Sequence, residues 1–214
     1  MKLFTYFRSS AAYRVRIAMN LKGLPYEAVP VHLLRDGGQQ NQAEYREKSP
    51  LGIVPALQME NGVLTQSLAI IEWLDETYPQ VPLLPADAEG RARVRAIAQT
   101  IACDIHPLNN LRVLSYLTKN LGISEDQKND WYRHWVNQGL AAIEKLLACD
   151  LRTGTFCHGE TPGMADCCLI PQVFNARRFN YPLDGLPTIQ RIVAACESMD
   201  AFQNASPARQ VDAE

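Results

Sequence analysis

Apolar and polar positions along the first eighty residues change period several times. Lys2 to Tyr6 reads as a strand, and behind it Val15, Ala18, Met19 and Leu21 recur at helical spacing. Tyr26 to Val31 predicts a second strand, the polar run from Leu34 to Gln42 an exposed loop, and Ala43 to Lys48 a short helix. Ala56 to Met59 and Val63 to Thr65 flank a turn at Glu60-Asn61-Gly62, a hairpin signal. From Ser67, expected as its cap, a helix runs to Tyr78 with Ala69, Ile70, Trp73 and Leu74 on one face. The order β-α-β-α-β-β-α implies a mixed sheet covered by helices.

Pro79, Pro82 and Pro85 then crowd into a short span that reads as a linker, and beyond it the pattern is helical throughout. Long periodic stretches are expected over Arg91 to about Asn120 and over Glu125 to Cys149. Two more run from Gly163 to Phe179, with Pro171 inside, and from Thr188 to about Ser198. The chain therefore divides into an α/β domain over 1–80, a linker over 81–90 and an all-α domain over 91–214. Trp131 and Trp135, four apart, are expected in a core. Arg91, Arg93 and Arg95 read as a solvated face or as donors of interdomain salt bridges.

Composition changes this picture little. The 214 residues are 47% hydrophobic and 21% charged, and the net charge of −2 gives no general attraction to nucleic acid or to an anionic membrane surface. Any anionic ligand must be held by local arginines. No segment reads as a membrane span, and Met1 leads directly into a strand rather than a signal peptide. The six cysteines form no Cys-x-x-Cys pair and are expected as buried thiols of a cytoplasmic protein, and the four histidines make no metal set.

Three places carry candidate chemistry. Ser9 and Ser10 fall at a strand-to-helix junction, where unpaired N–H groups and the positive end of the helix dipole gather. A thiolate or carboxylate is stabilised there and can accept a serine hydroxyl; the alternative is that the serine only caps the helix. Val54-Pro55 precedes a strand. A cis bond would turn the Val54 backbone outward toward an extended peptide-like ligand, against the ordinary trans proline at a strand start. Gln66-Ser67 opens the next helix with an amide, a hydroxyl and free N–H groups, which suits the α-carboxylate and α-amino group of a ligand or, again, a plain cap.

These residues stand in the order and spacing of the cytosolic glutathione transferases, which the chain resembles: a thioredoxin-like N-terminal domain, a proline-bearing linker and an all-α C-terminal domain. More narrowly it resembles the zeta class, whose SSxxxRVRIA signature is matched from Ser9 to Ala18. The likeness continues through DGGQQ (Asp36 to Gln40), QSLAIIEWL (Gln66 to Leu74), IHPLNN (Ile105 to Asn110), NARRF (Asn175 to Phe179) and the tail PARQVD. The string Gly163-Met164-Ala165-Asp166 departs from the usual Thr or Ser cap, and Ala11 stands where eukaryotic zeta members carry cysteine.

The resemblance implies glutathione as cofactor. It also implies cis–trans isomerisation of maleylacetoacetate to fumarylacetoacetate in aromatic amino-acid catabolism, with maleylpyruvate of gentisate catabolism as the alternative substrate. On it, Ser9 and Ser10, with Arg8 beside them, are catalytic. Ser9, Ser10, Gln40, Val54, Gln66, Ser67, His106, Asn110 and Arg112 bind the cofactor, Arg8 and Arg178 bind a small dicarboxylate substrate, and the protein is a homodimer. A general transferase for small electrophiles would favour a broad apolar second site. A non-enzymatic member would not need the hydroxyl, the Gln-Ser pair and the arginines together, and a thiol oxidoreductase of this fold would carry cysteine at Ser9 or Ser10.

Overall fold

A computed structural model describes residues Met1–Glu214. The chain separates into two compact units, Met1–Leu83 with Glu197–Glu214, and Leu84–Cys196.

The first unit is built on four short strands, β1 (Lys2–Thr5), β2 (Glu27–Pro30), β3 (Ala56–Met59) and β4 (Gly62–Thr65), in the order β2-β1-β3-β4. β1 runs parallel to β2 and antiparallel to β3, and the β3–β4 hairpin closes at Met59 opposite Gly62. Parallel pairing needs a crossover, and α1 (Ser10–Leu21) supplies it. Side chains alternate across the sheet, so Phe4 and Ala56 join a cluster with Tyr6, Phe7, Val31, Tyr45 and Val54. Leu3 and Leu57, paired in register, are fully buried on the opposite face. Thr5 shares that opposite face and accepts a hydrogen bond from Arg16 of α1. α2 (Ala43–Lys48), α3 (Ser67–Thr77), α9 (Asp200–Ala205) and a final 3-10 turn at Pro207–Arg209 complete this unit.

A buried ion pair joins the ends of α1 and α3, with Lys22 Nζ 3.0 Å from Asp75 Oδ1. Both groups are further satisfied. Lys22 donates to the carbonyls of Tyr78 and Val81, and Asp75 accepts the Leu83 N–H. The proline-rich stretch is thus held by the same two charges.

The second unit contains α4 (Ala88–Gln99), α5 (Leu111–Lys119), α6 (Glu125–Ala148), α7 (Met164–Arg178) and α8 (Pro187–Glu197). The single helix expected over Arg91 to Asn120 is broken. A π-type turn spans Thr100–Ile105, a 3-10 turn spans Pro107–Asn109, and Asn110 caps a new helix by accepting the Arg112 N–H. Pro107 has no N–H to continue the ladder, while the apolar period runs on through the break and hides it. Gly139 on α6 is required at this point, because a Cβ there would lie 2.3 Å from Ile105 side-chain atoms.

Other expectations are corrected in detail. Ser67 is not the cap of α3. Gln66 takes that position without a side-chain capping bond, and Ser67 is already helical. On the same helix Ile70, Ile71 and Leu74 are buried, whereas Ala69 is exposed. Trp131 and Trp135 are half-buried, edge to face at 5.7 Å, and the buried stripe of α6 is instead Tyr132, Val136, Leu140, Ile143 and Leu147. Arg93 is neither on a solvated face nor an interdomain donor: within the second unit it binds Asp150, Thr153 and the Cys157 carbonyl. Four cysteines are buried, but Cys103 and Cys149 are exposed. Gly163 does cap α7, with Asp166 accepting the Gly163 and Cys157 N–H groups. α9 had no signal in the sequence pattern; its six residues are too few to show a period.

Candidate active site

The first turn of α1 brings the expected chemistry together. The chain leaves β1 at Thr5 and turns through Tyr6, Phe7 and Arg8, and the Ser9 N–H returns to the Tyr6 carbonyl at 2.9 Å. Ser9 is the N-cap of α1, in an extended conformation, and its hydroxyl oxygen accepts the Ala12 N–H at 3.2 Å. A serine hydroxyl has two acceptor lone pairs and one proton. Capping uses an acceptor position, so the proton remains available to an anion at the helix start. Capping and anion stabilisation therefore coexist in one side chain. Ser10, the first helical residue, is 4% exposed.

Arg8 projects from the same turn. Its guanidinium lies over the Phe7 ring at 4.7 Å and is 3.7 Å from the Glu214 carboxylate. Glu214 also pairs with Arg35 and with His32. Desolvation opposes ionisation of Glu214, but the neighbouring Arg35 and His32 outweigh it and hold the carboxyl below its ordinary range. An acidic side chain of the tail thus already occupies the arginine expected to take a substrate carboxylate.

The start of α3 carries the only backbone outlier among the expected site residues. Gln66 has φ 71° and ψ 113°, a conformation that costs a non-glycine residue roughly 1–3 kcal/mol. Such a residue persists where the surroundings need it. Gln66 is exposed, at the positive end of α3. Ser67 is buried, and its hydroxyl accepts from Arg14 Nη1 at 3.2 Å, so this hydroxyl too keeps its proton for a ligand. The Val54–Pro55 bond is cis, and Val54 lies beyond the last β1–β3 pair, Phe4 opposite Ala56. In the DGGQQ loop the Gln40 amide donates to the Leu33 carbonyl at 3.3 Å, while its Oε1 is buried.

The remaining expected residues lie in the second unit. His106 follows the π-type turn, and its Nε2 is 3.3 Å from Asn110 Nδ2. Arg112 is exposed in the first turn of α5. Arg178, exposed at the end of α7, bonds Asn175 Oδ1 at 3.0 Å and lies 6.0 Å from the Phe179 ring, which itself stacks on Tyr132. Sequence reasoning missed Arg14 and Glu214, since nothing in spacing reports which buried arginine reaches a hydroxyl or where a tail folds back.

A mixed sheet with a hydroxyl-bearing helix start, followed by helices alone, is a thioredoxin-like domain joined to an all-α domain, the glutathione transferase fold. Family comparison agrees: residues 3–82 match the glutathione S-transferase N-terminal domain and residues 130–202 the C-terminal domain. Among known proteins, the chain is 48% identical over 211 residues to a probable maleylacetoacetate isomerase of Vibrio cholerae, covering 99% of this chain and 97% of that one. Among solved structures, it superposes with TM-score 0.97, 48% identity and full coverage of both chains on holo maleylpyruvate isomerase, described as a bacterial zeta-class glutathione S-transferase. A maleylacetoacetate isomerase from Methylobacterium extorquens with bound malonate and glutathione gives TM-score 0.96 at 40% identity, again with full coverage. The chain belongs to the glutathione S-transferase family, in its zeta class.

Proposed function

We propose that this protein is a glutathione-dependent cis–trans isomerase that converts maleylacetoacetate to fumarylacetoacetate. The observation that carries the reading is the Ser9 hydroxyl, held at the start of α1 by its own capping bond with its proton unspent. Glutathione, once held, would supply a thiolate able to add to the cis double bond and to be expelled again, by cleavage of the same C–S bond, after rotation about the resulting single bond.

The chain's residues do the rest. Ser9 donates to the thiol sulfur and, with the α1 dipole, favours its ionised form. Ser10 stands beside it as the neighbour able to share that role. Gln66 and Ser67 would hold the α-carboxylate and α-amino group of glutathione, and Ser10 and the Val54 backbone would hold the rest of the tripeptide. Gln40, His106, Asn110 and Arg112 complete the tripeptide's contacts. Arg8 and Arg178 each offer a guanidinium fork to a carboxylate or to developing enolate charge. This chemistry fits a small dicarboxylate rather than an apolar electrophile, and it sets general glutathione transfer behind isomerisation.

A second reading, isomerisation of maleylpyruvate, is favoured by the 48% identity and 0.97 TM-score to a structure of that name. The two substrates share the cis double bond and carboxylate, so one residue set serves both. Turnover of both compounds by one preparation decides between them: a higher kcat/KM for maleylacetoacetate supports the first reading, the reverse order the second. The proposal includes a homodimer in the cytoplasm. None of the six cysteines is in a disulfide, which suits a reducing compartment.

A further inference from the structure

Arg16 of RVRIA and the tail PARQVD remain without a role, and in the first unit they meet at Phe7. Phe7 donates its N–H to Asp212 Oδ2 at 3.0 Å, and its carbonyl accepts from Arg16 Nη2 at 3.0 Å. Arg16 is fully buried. It also donates to the carbonyl of Tyr6, the hydroxyl of Thr5 and the carbonyl of Ala205 in α9. Burial draws its pKa down to about 10, and Tyr26, Tyr13 and Asp212 act the other way, so it stays cationic at neutral pH. The tail is itself anchored. Pro207 is buried, and the Gln210 amide donates to the carbonyls of Asn204 and Ser206 at 2.9 Å each.

We infer that Asp212 is a positioning residue for the Arg8–Ser9 turn, gripping the Tyr6–Phe7 peptide by its N–H while Arg16 holds the carbonyl of that peptide and of the next. Phe7 stands one residue before Arg8 and two before Ser9, so release of either grip lets the turn shift. A displacement of about 1 Å at a reacting centre costs on the order of a hundredfold in rate. Asp212 touches neither cofactor nor substrate; it acts through the backbone. The inference rests on the reading of Ser9 as the thiol-activating group.

The test compares Asp212→Ala, Asp212→Asn and Ser9→Ala with the wild type. Asparagine keeps an acceptor oxygen for the Phe7 N–H, whereas alanine does not. Asp212→Ala should lower kcat about tenfold, with KM for glutathione moving less than threefold, and Asp212→Asn should return kcat to within about threefold of wild type. The Asp212→Ala/Ser9→Ala double variant should lose little more than Ser9→Ala alone, because both changes act on one group. Amide hydrogen exchange supplies a readout independent of activity: the peptide containing Phe7 should exchange faster in Asp212→Ala. Gln210→Ala, which loosens the tail without touching Phe7, should shift exchange and kcat in the same direction by a smaller factor, and it serves if the alanine variant melts. Unchanged exchange at Phe7, or losses that multiply fully in the double variant, would overturn the inference. A wild type without glutathione-dependent turnover would instead remove the functional reading while exchange still reported on the clamp.

Discussion

Ser9 Oγ accepts the Ala12 N–H at 3.2 Å, and this bond orients the hydroxyl without consuming its proton. Removing the hydroxyl therefore has two separable effects. Ser9→Ala should lower kcat/KM for isomerisation about ten- to over a hundredfold, the value of one hydrogen bond to a charged group at roughly 1.5–3 kcal/mol. Loss of the cap should also destabilise the protein by about 1 kcal/mol. Glutathione affinity, held by the other contacts, should stay within a few-fold. Full turnover in both Ser9→Ala and the Ser9/Ser10 double alanine variant would remove the hydroxyl from the mechanism.

Arg8→Ala and Arg178→Ala should each raise KM for the dicarboxylate substrate, costing about 1.5–3 kcal/mol in kcat/KM, with KM for glutathione moving less. Arg177, next along α7, is the internal control. Lysine at either position should restore attraction but not the two-pronged geometry. Lower melting temperatures with unchanged kinetics would make both arginines structural and move general transferase activity ahead.

Glu214 pairs with Arg8 at 3.7 Å and so competes with the substrate for the same guanidinium. Glu214→Gln should lower KM for the dicarboxylate two- to fivefold, an order-of-magnitude figure for an exposed ion pair. Steady-state kinetics at low and high salt provide the check: the difference should shrink as salt rises. A KM that rises in Glu214→Gln would show that the tail helps rather than competes.

The Arg93–Asp150–Arg152 group makes stability depend on acid. The Arg152 side chain and N–H, then Arg93, hold the Asp150 carboxyl well below the usual carboxylate range. A carboxyl depressed in the folded state stabilises above its unfolded value, near 3.9, and that contribution is lost as pH falls toward the folded value. Thermal melts should place Asp150→Asn about 1–2 kcal/mol below wild type at pH 7, with the gap closing below about pH 4. A gap that is the same at pH 7 and pH 3 would contradict this.

Much of the architecture was legible because the strands and helices of the first eighty residues carry their own period and punctuation. Val15, Ala18 and Met19 announce α1, and the Glu60-Asn61-Gly62 turn announces the hairpin. What escaped reading depends on contacts distant in sequence. The break after Gln99 is masked by continuous apolar spacing, and the bonds of Asp212 to Phe7 and of Arg16 to Ala205 link residues about two hundred positions apart. At the candidate site, Ser9 and Gln66 stood out as residue types at helix starts. The left-handed φ of Gln66 did not, because a glutamine is not a residue that advertises it.

The most direct measurement of the central claim counts product formed per glutathione present. With the purified protein, maleylacetoacetate and glutathione far below the substrate concentration, many molecules should isomerise per glutathione, none of it should be consumed, and the rate should fall to background when it is removed. Isomerisation undiminished in rigorously glutathione-free buffer, or one glutathione lost for each product, would contradict the account.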